Sequence, residues 1–170
     1  MQAEERRQRI LEILRQSGQP VSAGRLAQEF DVSRQVVVGD VALLRAGGEE
    51  IQATPRGYRM AALAPGLLRQ VACCHDAPGM EAELNAIVDE GCAVLDVIVD
   101  HPIYGQLTGP LQLTSRYDVR QFLDRCTDAE ARPLSELTSG IHLHTLSCPD
   151  EAAFHRVRGA LRSLGVLLEG

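Results

Sequence analysis

The chain has 170 residues, 45% apolar and 24% charged, with a net charge of −6. These proportions exclude wholesale disorder, and the length admits one large or two small domains. No run approaches the ~18 apolar residues of a membrane span, and the N-terminal MQAEERRQRI has no apolar signal core, so a cytoplasmic protein with no membrane partner is expected.

The acidity is unevenly spread. Residues 1–60 hold nine Arg against eight Asp and Glu, and residues 61–170 eight Arg against fifteen, so the first part keeps the local basic character that DNA contact needs. Every non-histidine cation is Arg, which suits phosphates and guanine edges. The five cysteines, Cys73, Cys74, Cys92, Cys126 and Cys148, form no CxxC pair. In a reducing compartment they read as small buried residues rather than a disulfide or zinc-ribbon framework.

Ile10, Leu11, Ile13 and Leu14 recur at helical spacing within Glu4–Ser17, with Arg6, Arg7 and Arg9 on the polar side. After a break at Gly18–Pro20, Ser22 caps a short second helix whose inner face is Leu26, Ala27 and Phe30. Asp31-Val32-Ser33 is a tight turn, and Ser33 caps a third helix that runs to about Ala46 with Val37, Val41 and Leu44 inward. Three helices so arranged are a helix-turn-helix. Ile51–Ala53 and Tyr58–Met60, joined by Thr54-Pro55-Arg56-Gly57, form a hairpin wing behind it. A three-helix module of this kind can also bind protein. As a DNA reader, its third helix enters the major groove N-terminus first. Arg34 is then assigned to a guanine or phosphate, Gln35 to a base edge, Ser33 to a phosphate, Val38 to the next turn of the groove and Arg56 to the backbone or minor groove. Two local features oppose a helix here: the strand-favouring run Val36-Val37-Val38, and Gly39, which costs a helix interior about 1 kcal/mol relative to Ala.

Beyond a linker at 61–66 the pattern changes. Strands are expected at Leu68–Cys74, Ala93–Val99, Gln106–Leu113 (at an edge, because of Pro110), Ile141–Leu146 and a closing Val166–Leu168. Helices are expected at Glu81–Glu90, after Ser115, and at Asp150–Leu164. Helices and strands around one sheet make this part an α/β-layered domain, and the whole chain α+β. Two domains are expected, 1–62 and 67–170.

His142 and His144 stand two apart in a strand, so both imidazoles leave the same face about 6.5–7 Å apart, with Ile141 and Leu143 packing on the other. They suit one cation, or two ordinary hydrogen-bonded roles. His75 ends a strand before a helix that carries Glu83 in its first turn, and spacing leaves Glu81 and Asp76 equally open. Three histidines and a carboxylate suit Zn²⁺ or Ni²⁺. Cys74 is a further conceivable ligand, but beside a strand-terminal His its side chain should point the opposite way, as core filler. His155, between basic residues on the last helix, reads as solvated. His101 leaves a buried strand just before Pro102, where either a ligand contact or a backbone-bonded turn residue fits.

The strings VSRQVVVGDVALLRAGGEEIQATPRGY (Val32–Tyr58), His75, EAEL (Glu81–Leu84), DVIVDHPIYG (Asp96–Gly105), SRYDV (Ser115–Val119) and LTSGIHLHT (Leu137–Thr145) resemble the niacin-responsive transcription repressor family over nearly the whole chain. The resemblance implies a winged helix-turn-helix joined to a three-histidine regulatory domain like the phosphocarrier-protein fold. It implies a homodimer that represses genes for salvage or uptake of NAD precursors, with nicotinic acid as corepressor. It also implies a transition-metal site on His75, Glu83, His142 and His144, which raises Glu83 above its neighbours. Gly39 departs from the family, where a polar residue is usual. His101 and Tyr104 are assigned with the metal to a nicotinate pocket, and Arg116 to the ligand carboxylate, although an arginine at a helix start is commonly solvated. Two rivals stand beside this reading: a repressor whose effector is the metal itself, and a metal hydrolase. The second lacks any HExxH-type motif and would need an open metal position and a base, so no enzyme is expected.

Overall fold

In the computed structural model, which describes residues 2–61, 66–129 and 132–170, the chain divides into two units, Met1–Leu63 and Ala64–Gly170. Apart from its two end residues, the expected linker at 61–66 lies outside the described residues.

The first unit holds α1 (Ala3–Gln16), α2 (Ala23–Phe30), α3 (Arg34–Ala46) and an antiparallel hairpin of β1 (Ile51–Thr54) and β2 (Gly57–Met60). Ser22 and Ser33 are the expected N-caps, accepting from Arg25 N at 3.1 Å and Val36 N at 3.3 Å. The three helices close on one core of Ile10, Leu11, Leu14, Leu26, Val37, Val41 and Leu44. That core explains why the triple-valine run stays helical. Burying Val37, Val41 and Leu44 is worth about 1.5–3 kcal/mol each, well above the few tenths that each β-branched residue costs a helix. A buried charge, not foreseen from the sequence, ties α3 to α1: Asp40 accepts from Arg6 Nε at 2.6 Å and Nη2 at 3.3 Å. The hairpin is anchored by reciprocal bonds between Val21 and Tyr58, each 2.8 Å. Gly57 makes that approach possible: at its φ of +132°, a Cβ would lie 2.4 Å from the Val21 carbonyl oxygen.

Gly39 faces solvent on α3, with nothing within 4 Å of where a Cβ would stand. Gly39→Ala should therefore stabilise this unit by about 0.5–1 kcal/mol, read as a higher denaturant midpoint at unchanged slope. A lowered midpoint would contradict the description of α3 as an unstrained helix at this residue.

The second unit runs β3 (Leu67–Cys74), α4 (Met80–Asp89), β4 (Ala93–His101), β5 (Gly105–Leu113), α5 (Arg116–Asp128), β6 (Ile141–Cys148) and α6 (Glu151–Ser163), with short 3-10 turns at Ala77–Gly79 and Leu134–Thr138. The antiparallel sheet has the order β3-β6-β4-β5, with Pro110 on the edge strand β5 as expected. One face of the sheet shares a core with all three helices, through Val71, Val94, Leu113 and Leu146 against Leu84, Ile87, Val119, Val157 and Leu161. On the other face, Ile141 is 52% exposed and does not pack as expected, while Leu143 is half-buried. The expected closing strand Val166–Leu168 is reduced to one bridge, Leu167 to Cys73, flanked by Cys74 N to Val166 O and Leu168 N to Ala72 O. The whole is α+β.

Candidate functional site

The inner stripe of α4 is Met80, Glu83, Leu84, Ile87 and Val88, and Glu83 is its one charged member, 1% exposed. Alternation along β6 turns His142 and His144 toward that stripe, while the end of β3 delivers His75. All three imidazoles meet at the Glu83 carboxylate. His75 Nε2 is 2.5 Å from Oε2, His142 Nε2 is 2.8 Å from Oε1, and His144 Nε2 is 3.3 Å from Oε1. The rings stand edge to face, with centroids 4.9 Å apart for His75–His142 and 4.8 Å for His142–His144. Glu81 is exposed on the outside of the same helix, and Asp76 is also exposed.

Each ring is held from behind. Nδ1 of His75 donates to Asp76 O at 2.6 Å, that of His142 to Gly140 O at 2.8 Å, and that of His144 to Asp96 O at 2.6 Å. A carbonyl has no hydrogen, so each Nδ1 must carry one, which leaves the lone pair of a neutral ring on Nε2. Backbone carbonyls that orient ligand imidazoles in this way are the usual outer support of a metal site. Asp96 can serve because β4 slips by one residue against β6: Val94 pairs with Leu146, but Ile98 with Leu143. The irregularity turns its carbonyl toward His144, while its carboxylate accepts from Thr145 N at 2.8 Å.

Burial alone would raise the Glu83 pKa, but the imidazoles pressed against it, His142 foremost, outweigh it and hold the carboxyl well below the usual carboxylate range. The same contact to Glu83 raises the His75 pKa. His144 Nε2 is buried and has no hydrogen-bond partner. A buried lone pair without a partner costs about 1–3 kcal/mol, and a cation among these nitrogens would satisfy it. The donor set therefore fits a divalent transition ion.

Cys73 belongs to the same cluster and was missed from the sequence. It pairs with His142 across β3–β6, and its Sγ, a Glu83 oxygen and a His142 nitrogen all lie within 4.8 Å of one another. Burial, then the Glu83 charge, pushes its thiol pKa far up. The signal was available: Cys73 and His75 are two apart on one strand, so they share a face.

The remaining expectations fare differently. His101 ends β4, and its Nδ1 accepts from the backbone N–H groups of Ile103 at 3.1 Å and Tyr104 at 3.2 Å, which makes it a turn-forming residue. Tyr104 is exposed and lies 5.0 Å from the His101 ring. Among the described residues, no hydrogen bond, ion pair or ring contact joins either of them to the Glu83 cluster. Arg116 does not reach the cluster. Its guanidinium grips Asp89 in a bidentate pair, 2.7 and 2.5 Å, in a pocket lined also by Ala82, Asn85 and Ala86, and among the described residues no hydrogen bond or ion pair joins it to Glu83. His155 is exposed.

In the first unit, Arg34, Gln35 and Val38 are all exposed on α3, and Ser33 is exposed at its cap. Arg56 lies at the hairpin turn, where its guanidinium donates to the Gln19 side-chain oxygen at 3.3 Å. No helix among the described residues is long and apolar enough to cross a membrane.

Comparison with known proteins assigns residues 6–59 to an HTH domain and residues 68–170 to a 3H domain. The chain is 42% identical to the "Probable transcription repressor NiaR" of Thermotoga maritima, over 98% of this chain and 95% of the relative. It is 40% identical to the "Transcription repressor NadR" of Bacillus subtilis (strain 168), over 96% and 93%. The chain therefore belongs to this family of transcription repressors, DNA-binding proteins rather than enzymes, in which a helix-turn-helix domain precedes a 3H domain.

Proposed function

We propose that this repressor controls genes for salvage or uptake of NAD precursors, with nicotinic acid as corepressor and a divalent transition ion, Ni²⁺ or Zn²⁺, held by His75, Glu83, His142 and His144. The observation that carries the metal reading is the convergence of three backbone-anchored imidazoles on one buried carboxylate. The names of its relatives and the resemblance of HPIYG and GIHLH support the corepressor reading. The order βαββαβα, with strands arranged 1-4-2-3, supports a regulatory domain of the phosphocarrier type.

When bound, the ion would tie two strands to α4 through one positive charge. His142, His144 and His75 bring their Nε2 lone pairs, each ring already oriented through Nδ1, and Glu83 supplies the neutralising anion. Arg34 and Gln35 would read base edges, Val38 would lie along the groove, and Ser33 and Arg56 would hold phosphates. The Ser33 hydroxyl can donate to a phosphate while its oxygen still accepts at the cap. A homodimer would set two recognition helices about one helical turn of DNA apart. Nicotinate favours that geometry only to the extent that it binds it more tightly. With Arg116 engaged by Asp89, its carboxylate partner would come from another group.

One observation favours a second reading. Among the described residues, the cluster is completed by side chains of the second unit, so the metal itself can be the effector. Titrating operator binding with nicotinic acid, in metal-loaded and chelated protein, separates the two. A rise in DNA affinity with nicotinate in the loaded form supports the corepressor; no effect in either form removes it; full affinity with metal alone assigns the effector role to the ion.

Metal and proton compete for the same Nε2 atoms, so loading should depend on pH. The His75 pKa is raised, so its stabilisation of the metal-free unit is complete below about pH 6.5 and is lost as pH rises through the raised value. The metal needs the ring neutral, so its stabilisation grows in that same window. The stabilisation by Zn²⁺ or Ni²⁺, read from the thermal shift, should be larger at pH 8 than at pH 6, by up to about 1.4 kcal/mol per pH unit for each proton displaced. A shift independent of pH would place the ion on other ligands.

A further inference from the structure

We propose that Cys73 is an additional, sulfur ligand of the ion, so that the site is a mixed nitrogen, oxygen and thiolate centre. The inference rests on the metal reading above and extends it to a residue outside the three histidines and Glu83.

The geometry comes from strand pairing. Cys73 faces His142 across the β3–β6 ladder, and directly paired residues project to the same side of a sheet. Its thiol is fully buried, and Sγ lies within 4.8 Å of both a Glu83 carboxylate oxygen and a His142 ring nitrogen. The four other cysteines do not join this set. Cys74 alternates to the opposite face, Cys92 and Cys148 sit toward the far end of the sheet, and Cys126 is on α5.

A second observation points into the same space. His144 is 3% exposed, and its Nε2, aimed at the cluster, has no hydrogen-bond partner. The cluster thus gathers a thiol, a carboxylate and a buried ring nitrogen with an unused lone pair. Cys73 lies in the same apolar core as Cys92 and Cys148, whose thiols neighbour each other. Cys73 has a carboxylate and an imidazole, the surroundings in which a sulfur can share a cation.

The step is balanced simply. The S–H bond breaks, a sulfur–metal bond forms, and the proton leaves to solvent, so no oxidant or reductant is required. A thiolate among imidazoles favours Zn²⁺ and Co²⁺ over hard ions such as Mg²⁺.

Cobalt substitution of the full chain tests this directly. Wild-type protein stripped by chelation and reloaded with Co²⁺ should show visible ligand-field bands together with a near-ultraviolet thiolate-to-cobalt charge-transfer band. Cys73→Ser should lose the charge-transfer band while keeping the ligand-field bands. Ligand-field bands without charge transfer in the wild type would overturn the sulfur ligand and leave the histidine–carboxylate site standing. Charge transfer that survives in Cys73→Ser would also overturn it, since the sulfur would be another cysteine. Failure to bind Co²⁺ at all would overturn both readings. Should Cys73→Ser not fold, X-ray absorption at the zinc edge of the wild type decides. A sulfur neighbour at about 2.3 Å supports the proposal, and a shell of only nitrogen and oxygen at about 2.0–2.2 Å overturns it.

Discussion

Glu83→Ala should leave the regulatory unit without measurable metal, and destabilise the metal-free protein by about 3–5 kcal/mol, the usual cost of removing one partner from a buried charge cluster. The reason is topological as much as electrostatic. Among the described residues only Glu83 touches all three imidazoles, so its loss strands three rings whose Nδ1 hydrogens are committed to backbone carbonyls. Against a typical total stability of about 5–15 kcal/mol, that loss should lower the melting temperature by many degrees. Glu83→Gln keeps the volume and one acceptor oxygen but not the charge, and should fall between the two.

The pH dependence identifies the cause. The Glu83 pKa is depressed, so its contribution is present above the ordinary carboxylate value near 4.5 and is lost as pH falls below it. The His75 pKa is raised, so its contribution fades as pH climbs past its ordinary value near 6.5. The metal-free wild type should therefore exceed Glu83→Ala most between about pH 5 and 7. Equal metal content by elemental analysis, with a stability difference below about 1 kcal/mol in that window, would remove Glu83 from the centre of the site.

How much of this could be read beforehand depends on whether side chains or backbone do the work. The caps Ser22 and Ser33, the α3 stripe Val37, Val41 and Leu44, and the paired histidines of β6 follow from periods of 3.6 and 2, and the structure has them. Glu83 could have been separated from Glu81 by period alone, since only Glu83 falls on the face of Leu84 and Ile87. Cys73 was hidden by attention to Cys74, although the parity that turns Cys74 outward turns Cys73 in. Arg116 failed for a different reason. Its partner Asp89 is 27 residues away on another helix, and nothing local shows that the start of α5 meets the end of α4. The roles of Asp96 and Gly140 lie furthest out of reach. They act through carbonyl oxygens whose direction is set by a register slip and a positive φ, and neither carries a side-chain signature.

Gly140 is therefore the position where a single methyl group should do most harm without touching a ligand side chain. Its φ is +90°, and a Cβ there would lie 2.2 Å from the His75 carbonyl oxygen and 3.0 Å from its carbon, both backbone atoms that cannot swing away. The same residue receives the His142 Nδ1 hydrogen at 2.8 Å and the His75 N–H at 3.4 Å on its own carbonyl, and donates its N–H to Ser135 O at 2.8 Å. Gly140→Ala should cost about 1–3 kcal/mol for the backbone conformation alone, with the clash added to that. Because the turn must open, it should also move His75 and His142 off their common focus and weaken metal binding by about 10–100-fold. Gly165→Ala is the control: φ there is +74°, with nothing within 4 Å of the added carbon, so it carries the conformational cost without the collision. If Gly140→Ala destabilised no more than Gly165→Ala and bound metal as the wild type does, two of the three imidazoles would not depend on this turn, and the carbonyl-anchored account of the site would fail.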